Sequence, residues 1–280
     1  MDSEGNEMTE LKKAVREGYA KVAKGGSSCC GNNSSCCGKS GDEQKISEKI
    51  GYTKDDISSV PDGADLGLGC GNPIALASLK KGEIVLDLGS GAGFDCFLAA
   101  NKVEEEGKVI GVDMTPEMID KARKNAARGL YTNVEFRLGE IEHLPVADNS
   151  VDVVISNCVI NLAPNKAQVF GEAFRVLKPS GRLMVSDIVL LGELPEVIKS
   201  SISAYVGCVS GAIMKDDYIE AIKQAGFQEV SIAEESTFSL DCIENDPTAE
   251  AIMEDCCLSE DVIKSVADII ASIRASGIKK

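Results

Sequence analysis

The chain has 280 residues, of which 44% are hydrophobic and 26% charged, a balance that suits one large globular domain or one and a half. No apolar run approaches the ~18 residues of a membrane span, and the acidic start Met1-Asp2-Ser3-Glu4 is unlike a signal peptide; both argue against secretion or insertion and for a cytoplasmic, membrane-free protein. With 45 acidic against 29 basic residues the net charge is −16, which repels phosphate backbones and argues against a nucleic-acid partner.

In chain order, residues 8–24 have the spacing of an amphipathic helix, with Leu11, Val15, Tyr19 and Val22 near one face. The following GGSSCCGNNSSCCGKSG is a Gly/Ser/Asn loop that carries two vicinal thiol pairs, Cys29-Cys30 and Cys36-Cys37. Residues 42–79 read as short helices and turns around GLGCGNP, which contains Cys70. From residue 83 strands and helices alternate: strands at 83–88, 108–112, 134–138, 151–156 and 182–189, and helices at 94–103, 116–129 and 166–177. That rhythm predicts an open, mostly parallel α/β sheet. A helix over 196–209, a helix over 215–225 and a strand over 229–232 follow, and the tail from Pro247, with Cys256-Cys257, reads as mostly helical.

Two signals carry chemistry. The first is DLGSGAGFD, Asp87 to Asp95, where Gly89, Gly91 and Gly93 let the chain turn from strand to helix close to a ligand. An acid about twenty residues on, Asp113, ends the second strand in position to accept hydrogen bonds from two ribose hydroxyls. The second signal is the thiol content: eleven cysteines against one histidine, His143, with no leader for oxidative folding. Cys158 lies in SNCVINL at the end of the fourth strand, the rim where ligands bind in such sheets. A thiol there suits a soft acceptor.

The alternating elements and the glycine turn resemble class I S-adenosylmethionine-dependent methyltransferases over residues 80–190. That resemblance implies a Rossmann-like sheet and S-adenosyl-L-methionine as cofactor. Asp87, Gly89 and Gly91 would face the methionine moiety and Asp113 the ribose. Met114 would pack on adenine, Ile141 and Glu142 would line the adenine end, and Asn157 would complete the set. Together SNCVINL, GCGNP, GFDC and YVGCVSGA resemble arsenite methyltransferases more closely, from the N-terminal helix to near Gly226. The resemblance maps arsenic-binding thiols onto Cys70, Cys158 and Cys208, and implies arsenite and methylarsenite as substrates. Cys29, Cys30, Cys36, Cys37, Cys256 and Cys257 are then candidates for thiol relay, with zinc binding by the loop pairs the alternative. Cys96 reads as a buried structural thiol. Each methylation formally oxidises arsenic, so thioredoxin or glutathione is expected to return two electrons.

The expected organisation is a thiol-rich segment at 1–79, a cofactor-binding core at 80–190, and an arsenic-binding α/β cap with helical tail at 191–280, in a monomer. The competing readings are a class I methyltransferase of another small molecule and a non-catalytic soft-metal binder. The absence of an evident general base weighs against the first, and the complete glycine turn with Asp113 against the second.

Overall fold

Short runs that are apolar on both faces can only be satisfied in the middle layer of a sandwich. Such runs recur here as IVLDL, KVIGVD and VDVVISN. The computed structural model describes residues 2–25, 42–69, 71–72, 78–237 and 266–280. Three helices come first, α1 (Asp2–Ala23), α2 (Asp42–Lys49) and α3 (Lys54–Ser58). Then follow β1 (Ile84–Leu88), α4 (Phe94–Val103), β2 (Lys108–Asp113), α5 (Pro116–Arg128), β3 (Val134–Leu138), β4 (Val151–Asn157), α6 (Lys166–Val176) and β5 (Leu177–Leu190). The chain ends with α7 (Glu196–Lys199), α8 (Ile202–Val206), α9 (Lys215–Gln224), β6 (Gln228–Thr237) and β7 (Ile270–Ile278).

The strands form one sheet in the order β3-β2-β1-β4-β5-β7-β6. Pairs from β3 to β5 are parallel, and β7 is antiparallel to both β5 and β6. Alternate residues of β1 feed opposite layers. Val85 packs with Phe97, Ala99 and Ile119 of α4 and α5, whereas Leu86 and Leu88 pack with Phe170 of α6 and Tyr218 of α9. After β3 the chain returns to the other side of β1, so β1 and β4 flank the topological switch point, where open α/β sheets hold their ligands.

The structure has the open, mostly parallel sheet expected, and it departs from expectation in the connections. Strand β5 begins at Leu177, ahead of the expected start at 182, so residues 178–181 are part of it. A bulge shifts the register between Val151 and Val153, and the strand here bonds to the chain end, Ser180 N to Lys279 O and Lys279 N to Gly181 O. The helix expected over 196–209 is split into α7 and α8. Ser200 Oγ bonds back to the Glu196 carbonyl, and Ser201 caps the second piece by accepting from Ala204 N at 3.1 Å. Serine competes for backbone groups in this way wherever a helix is marginal. Strand β6 is longer than its apolar core suggested. The described end of the tail is a strand, β7, not a helix. Its pairing partner β5 lies far back in sequence, and burial between two strands overrides the local propensity of Ala, Ser and Ile.

Candidate active site

The strand ends at the switch point shape the site. Leaving β1, Gly89, Gly91 and Gly93 all have positive φ (69°, 51° and 96°), the left-handed region glycine adopts without strain. Their roles differ. A Cβ on Gly89 would lie 2.4 Å from Val159, and one on Gly93 would strike Phe97 and Phe136 at 2.8 Å, so these two permit close packing. A Cβ on Gly91 would meet nothing within 4 Å; Gly91 borders a cleft enclosing about 1040 Å³, open space included. Asp113 Oδ2 accepts from Gly91 N at 2.9 Å and Oδ1 from Thr115 N at 2.8 Å, which locks the acid to the glycine turn while leaving lone pairs for a ligand. Burial raises its pKa, against the pull of those two backbone donors.

On the cleft floor are two further acids, Asp87 and Asp95, both buried. Asp87 Oδ2 accepts from the Cys96 thiol at 3.2 Å, and burial together with the Asp95 charge pushes its pKa well up. Asp95 Oδ1 accepts from the Tyr52 hydroxyl at 2.6 Å, and its Oδ2 lies 3.2 Å from the Asn157 amide. Burial pushes Asp95 up to about 6 in spite of these donors. Cys96 itself is fully buried, and burial plus the Asp87 charge raise its pKa, which keeps it a thiol.

Helix α1 covers the far side. Lys12, Val15 and Tyr19 face the cleft, and Lys12 Nζ bridges Glu140 at 2.6 Å and the buried Glu142 at 3.0 Å. Burial works against the ammonium, but its hydrogen bonds to the two glutamates leave its pKa raised. Ile141 and Met114 complete this end.

Cys158 and Cys208 cluster with Val15, Tyr19 and Met114 on the rim of the cleft. Cys158 follows β4, is half-buried and borders the cleft; its N–H donates to Ser186 O at 2.8 Å. Cys208 follows α8, is buried, and its thiol lies 2.8 Å from the Cys158 carbonyl. Both have positive φ, 58° and 65°, a conformation uncommon for residues other than glycine. From a third direction come Gly69 and Gly71. A Cβ on Gly69 would stand 2.7 Å from the Asn157 amide, one on Gly71 1.9 Å from Ser186 Oγ, and the Gly71 carbonyl accepts from Asn157 at 2.8 Å. These glycines are required by close approach to β4 and β5.

A methyltransferase-domain family model matches residues 79–226, more than half of the chain. The crystal structure of an arsenic(III) S-adenosylmethionine methyltransferase from Chlamydomonas reinhardtii superposes with a TM-score of 0.63 at 30% identity, over 84% of this chain and 73% of that one. The chain belongs to the arsenite methyltransferase family. A curated arsenite methyltransferase of Halobacterium salinarum is 55% identical over 236 residues, which is 81% of this chain and 60% of that protein. The human arsenite methyltransferase is 40% identical over 152 residues, 51% of this chain and 40% of that protein. The chain thus spans less than two thirds of the length of these curated relatives.

S-adenosyl-L-methionine is the cofactor of this family, and the cleft fits it. The space beside Gly91 is a cradle that a side chain would fill, and Ser90 Oγ and Asp65 Oδ2 are buried on its wall without partners among the described residues. Of the residues expected from sequence, Asp87, Gly89, Gly91, Asp113, Met114, Ile141, Glu142, Asn157 and Cys158 all line this one cleft. Cys208 lies behind Cys158. Cys70, Cys29, Cys30, Cys36, Cys37, Cys256 and Cys257 lie outside the described residues. Lys12, Tyr52 and Asp95 were not singled out from sequence. For Asp95 the signal was present, since it closes the same DLGSGAGFD motif; Lys12 and Tyr52 carry no local mark. His143 is exposed and pairs with Gln168, which leaves it no role in the cleft. No described helix is long and apolar enough to cross a membrane.

Proposed function

We propose that the protein transfers methyl groups from S-adenosyl-L-methionine to trivalent arsenic, accepting arsenite and methylarsenite. The observation that carries this reading is the convergence of Cys158, Cys208 and the glycines flanking Cys70 at the end of the cofactor cleft, beside Asn157. In this reading Cys70, Cys158 and Cys208 bind arsenic as thiolates, Cys208 after turning from the Cys158 carbonyl. Gly89, Gly91 and Asp87 hold the methionine moiety, Asp113 the ribose, and Met114, Ile141 and Glu142 the adenine. The names of the relatives support arsenite as the acceptor.

When bound, the cofactor supplies an electrophilic methyl group on a sulfonium. The chain's contribution is positioning: thiolates take three of arsenic's bonding positions and leave its lone pair free to be aimed along the cleft, an arrangement that converts a bimolecular encounter into an oriented one. No proton has to be removed from arsenic, which agrees with the absence of a histidine from the cleft. Each transfer leaves arsenic formally two electrons more oxidised. Two cysteine thiolates return that pair by forming a disulfide, which thioredoxin or glutathione then reduces. Cys29, Cys30, Cys36, Cys37, Cys256 and Cys257 are the relay thiols of this scheme, within the division 1–79, 80–190 and 191–280.

The test is methyl transfer from radiolabelled cofactor with arsenite and a thiol reductant, run beside small nitrogen and oxygen acceptors. Label appearing in organic arsenic is the expected result. Label transferred only to the other acceptors, or none transferred while the cofactor binds, refutes the arsenic reading.

A further inference from the structure

Two buried carboxylates with no cationic partner among the described residues form the floor of the cleft. Asp87 is 2% exposed and Asp95 8%, and the groups that act on them are Asp113, Asp65, Cys96, Tyr52 and Asn157, none of which is positive. A buried carboxylate normally has a cationic partner, because the loss of hydration is otherwise uncompensated. Glu142, buried at the edge of the same cleft, has such a partner in Lys12. Asp187 is instead held by the neutral donors Tyr218, Asn161 and the Ile188 amide, with only the more distant Lys166 charge acting on it. At the floor of the cleft no described side chain supplies a positive charge, and a cationic ligand would.

The two acids differ in what holds them. Asp87 takes only the weak Cys96 thiol donor, whereas Asp95 is fixed on both oxygens, by the Tyr52 hydroxyl and the Asn157 amide. Asn157 in turn bonds Tyr52 at 2.9 Å and precedes Cys158 directly in the chain, so Asp95 is the acid tied to the end where methyl transfer is placed. The cofactor's ammonium is present before and after transfer, but its sulfonium charge disappears when the methyl leaves.

We infer that Asp95, clamped by Tyr52 and Asn157, is the counter-ion of the cofactor's sulfonium and makes the cleft distinguish the cationic methyl donor from S-adenosylhomocysteine, its neutral-sulfur product. The inference rests on the proposed placement of the acceptor at Cys158. It turns an electrostatic pairing into a release mechanism: transfer removes the sulfonium charge, the carboxylate is left unpaired, and the product is held less tightly than the donor.

The consequence is a proton linkage. In the free protein burial pushes Asp95 up to about 6, against the pull of Tyr52 and Asn157. The titratable groups facing it are Tyr52, which burial keeps protonated, then Asp65, Asp87 and Cys96, with Cys158 on the same cleft wall. When a cation binds, the carboxylic acid becomes carboxylate and one proton passes to solvent; when the sulfonium becomes a thioether, the proton returns from solvent. A neighbouring opposite charge shifts a carboxyl by roughly 1–3 units, so by reciprocity the ionised cleft binds the donor about 10–1000-fold more tightly than the protonated one.

The test is calorimetry near pH 6 in two buffers of different ionisation enthalpy, titrating S-adenosylmethionine, S-adenosylhomocysteine and sinefungin, which carries an amine where the sulfonium stands. Proton release should be greater with S-adenosylmethionine and sinefungin than with S-adenosylhomocysteine, whose ammonium can act on Asp87 but which brings no charge to Asp95, and the difference should vanish near pH 8. Asp95→Asn should weaken S-adenosylmethionine about tenfold or more and change S-adenosylhomocysteine by no more than about threefold. Tyr52→Phe, which removes one donor to the carboxylate, should move the midpoint of proton release to higher pH. Equal proton release for all three ligands, equal losses of donor and product affinity in Asp95→Asn, or an unmoved midpoint in Tyr52→Phe overturns the inference. A protein that binds none of the three ligands contradicts the methyltransferase reading itself, and one that shows the linkage but does not methylate arsenite contradicts only the acceptor.

Discussion

The cofactor end and the thiol end of the cleft are built in different ways. At the cofactor end, the glycine turn after β1 and Asp113 after β2 come from neighbouring strands, and two backbone hydrogen bonds fasten the acid to the turn. At the thiol end, Cys158, Cys208 and Gly69–Gly71 arrive from three separated stretches, and side chains join them: Asn157 to Gly71, and the Cys208 thiol to Cys158. One end is a property of adjacent strands, the other of long-range convergence. A change at the first should damage cofactor binding alone, and a change at the second should damage acceptor chemistry with the cofactor still bound.

The largest expected effect is at the thiol end. Cys158→Ser keeps the shape of the rim and removes a proposed soft ligand, so arsenite methylation should fall by more than about 100-fold, beyond what the loss of a supporting contact to a bound metal costs. S-adenosylmethionine affinity should stay within about threefold, by calorimetry. Loss of cofactor affinity to the same extent would erase the division between the two ends.

At the other end, Asp113→Ala removes the proposed ribose acceptor and frees the Gly91 and Thr115 amides. Charge-assisted hydrogen bonds of this kind are worth about 2–4 kcal/mol together, or roughly 30–1000-fold in cofactor affinity. Arsenite binding, followed by quenching of free thiols, should be nearly unaffected. Unchanged cofactor affinity would remove Asp113 from the ribose site.

Gly71→Ala probes the junction between the two. Its Cβ would fall 1.9 Å from Ser186 Oγ, so the segment must lift off β5. A displacement of about 1 Å at a reacting group can cost about 100-fold in rate; arsenite methylation should drop toward that value while cofactor binding and the melting temperature change little. Full activity in this variant would show that the position of the segment beside Asn157 and Ser186 is irrelevant to chemistry.

This architecture was legible in sequence to unequal degrees. The sheet from β1 to β5 and the whole glycine turn could be read because each is signalled by contiguous residues: an apolar run, a glycine spacing, an acid at a strand tip. Tyr52 and Lys12 could not be, since Tyr52 meets Asn157 across 105 positions and Lys12 meets Glu140 across 128. The glycines around Cys70 have a packing reason that only the structure shows, since a Cβ on Gly69 would strike Asn157 and one on Gly71 would strike Ser186. The strand β7 was read as helix because only its pairing with β5 and β6 distinguishes it. Ser200-Ser201 split a helix whose apolar pattern ran on through them.

The smallest effect concerns stability. Beside the thiol end, Asp187 is fully buried, accepts from Tyr218, Asn161 and the Ile188 amide, and is pushed by burial up to about 7. Its folded pKa lies above the unfolded value, so the folded state holds the proton more tightly. Its contribution is present below about pH 4 and is lost as pH rises toward 7. Melting temperature should decline over that window, and Asp187→Asn should flatten the decline. An unchanged slope in the variant would assign the pH dependence to other groups.

Arsenic K-edge X-ray absorption of the protein loaded with arsenite counts the sulfur neighbours of the metalloid independently of turnover. The account predicts arsenic bound by three sulfurs in the unmodified chain, with one replaced in Cys158→Ser and in Cys208→Ser. Arsenic surrounded by oxygen, or a sulfur count that neither substitution alters, would contradict it.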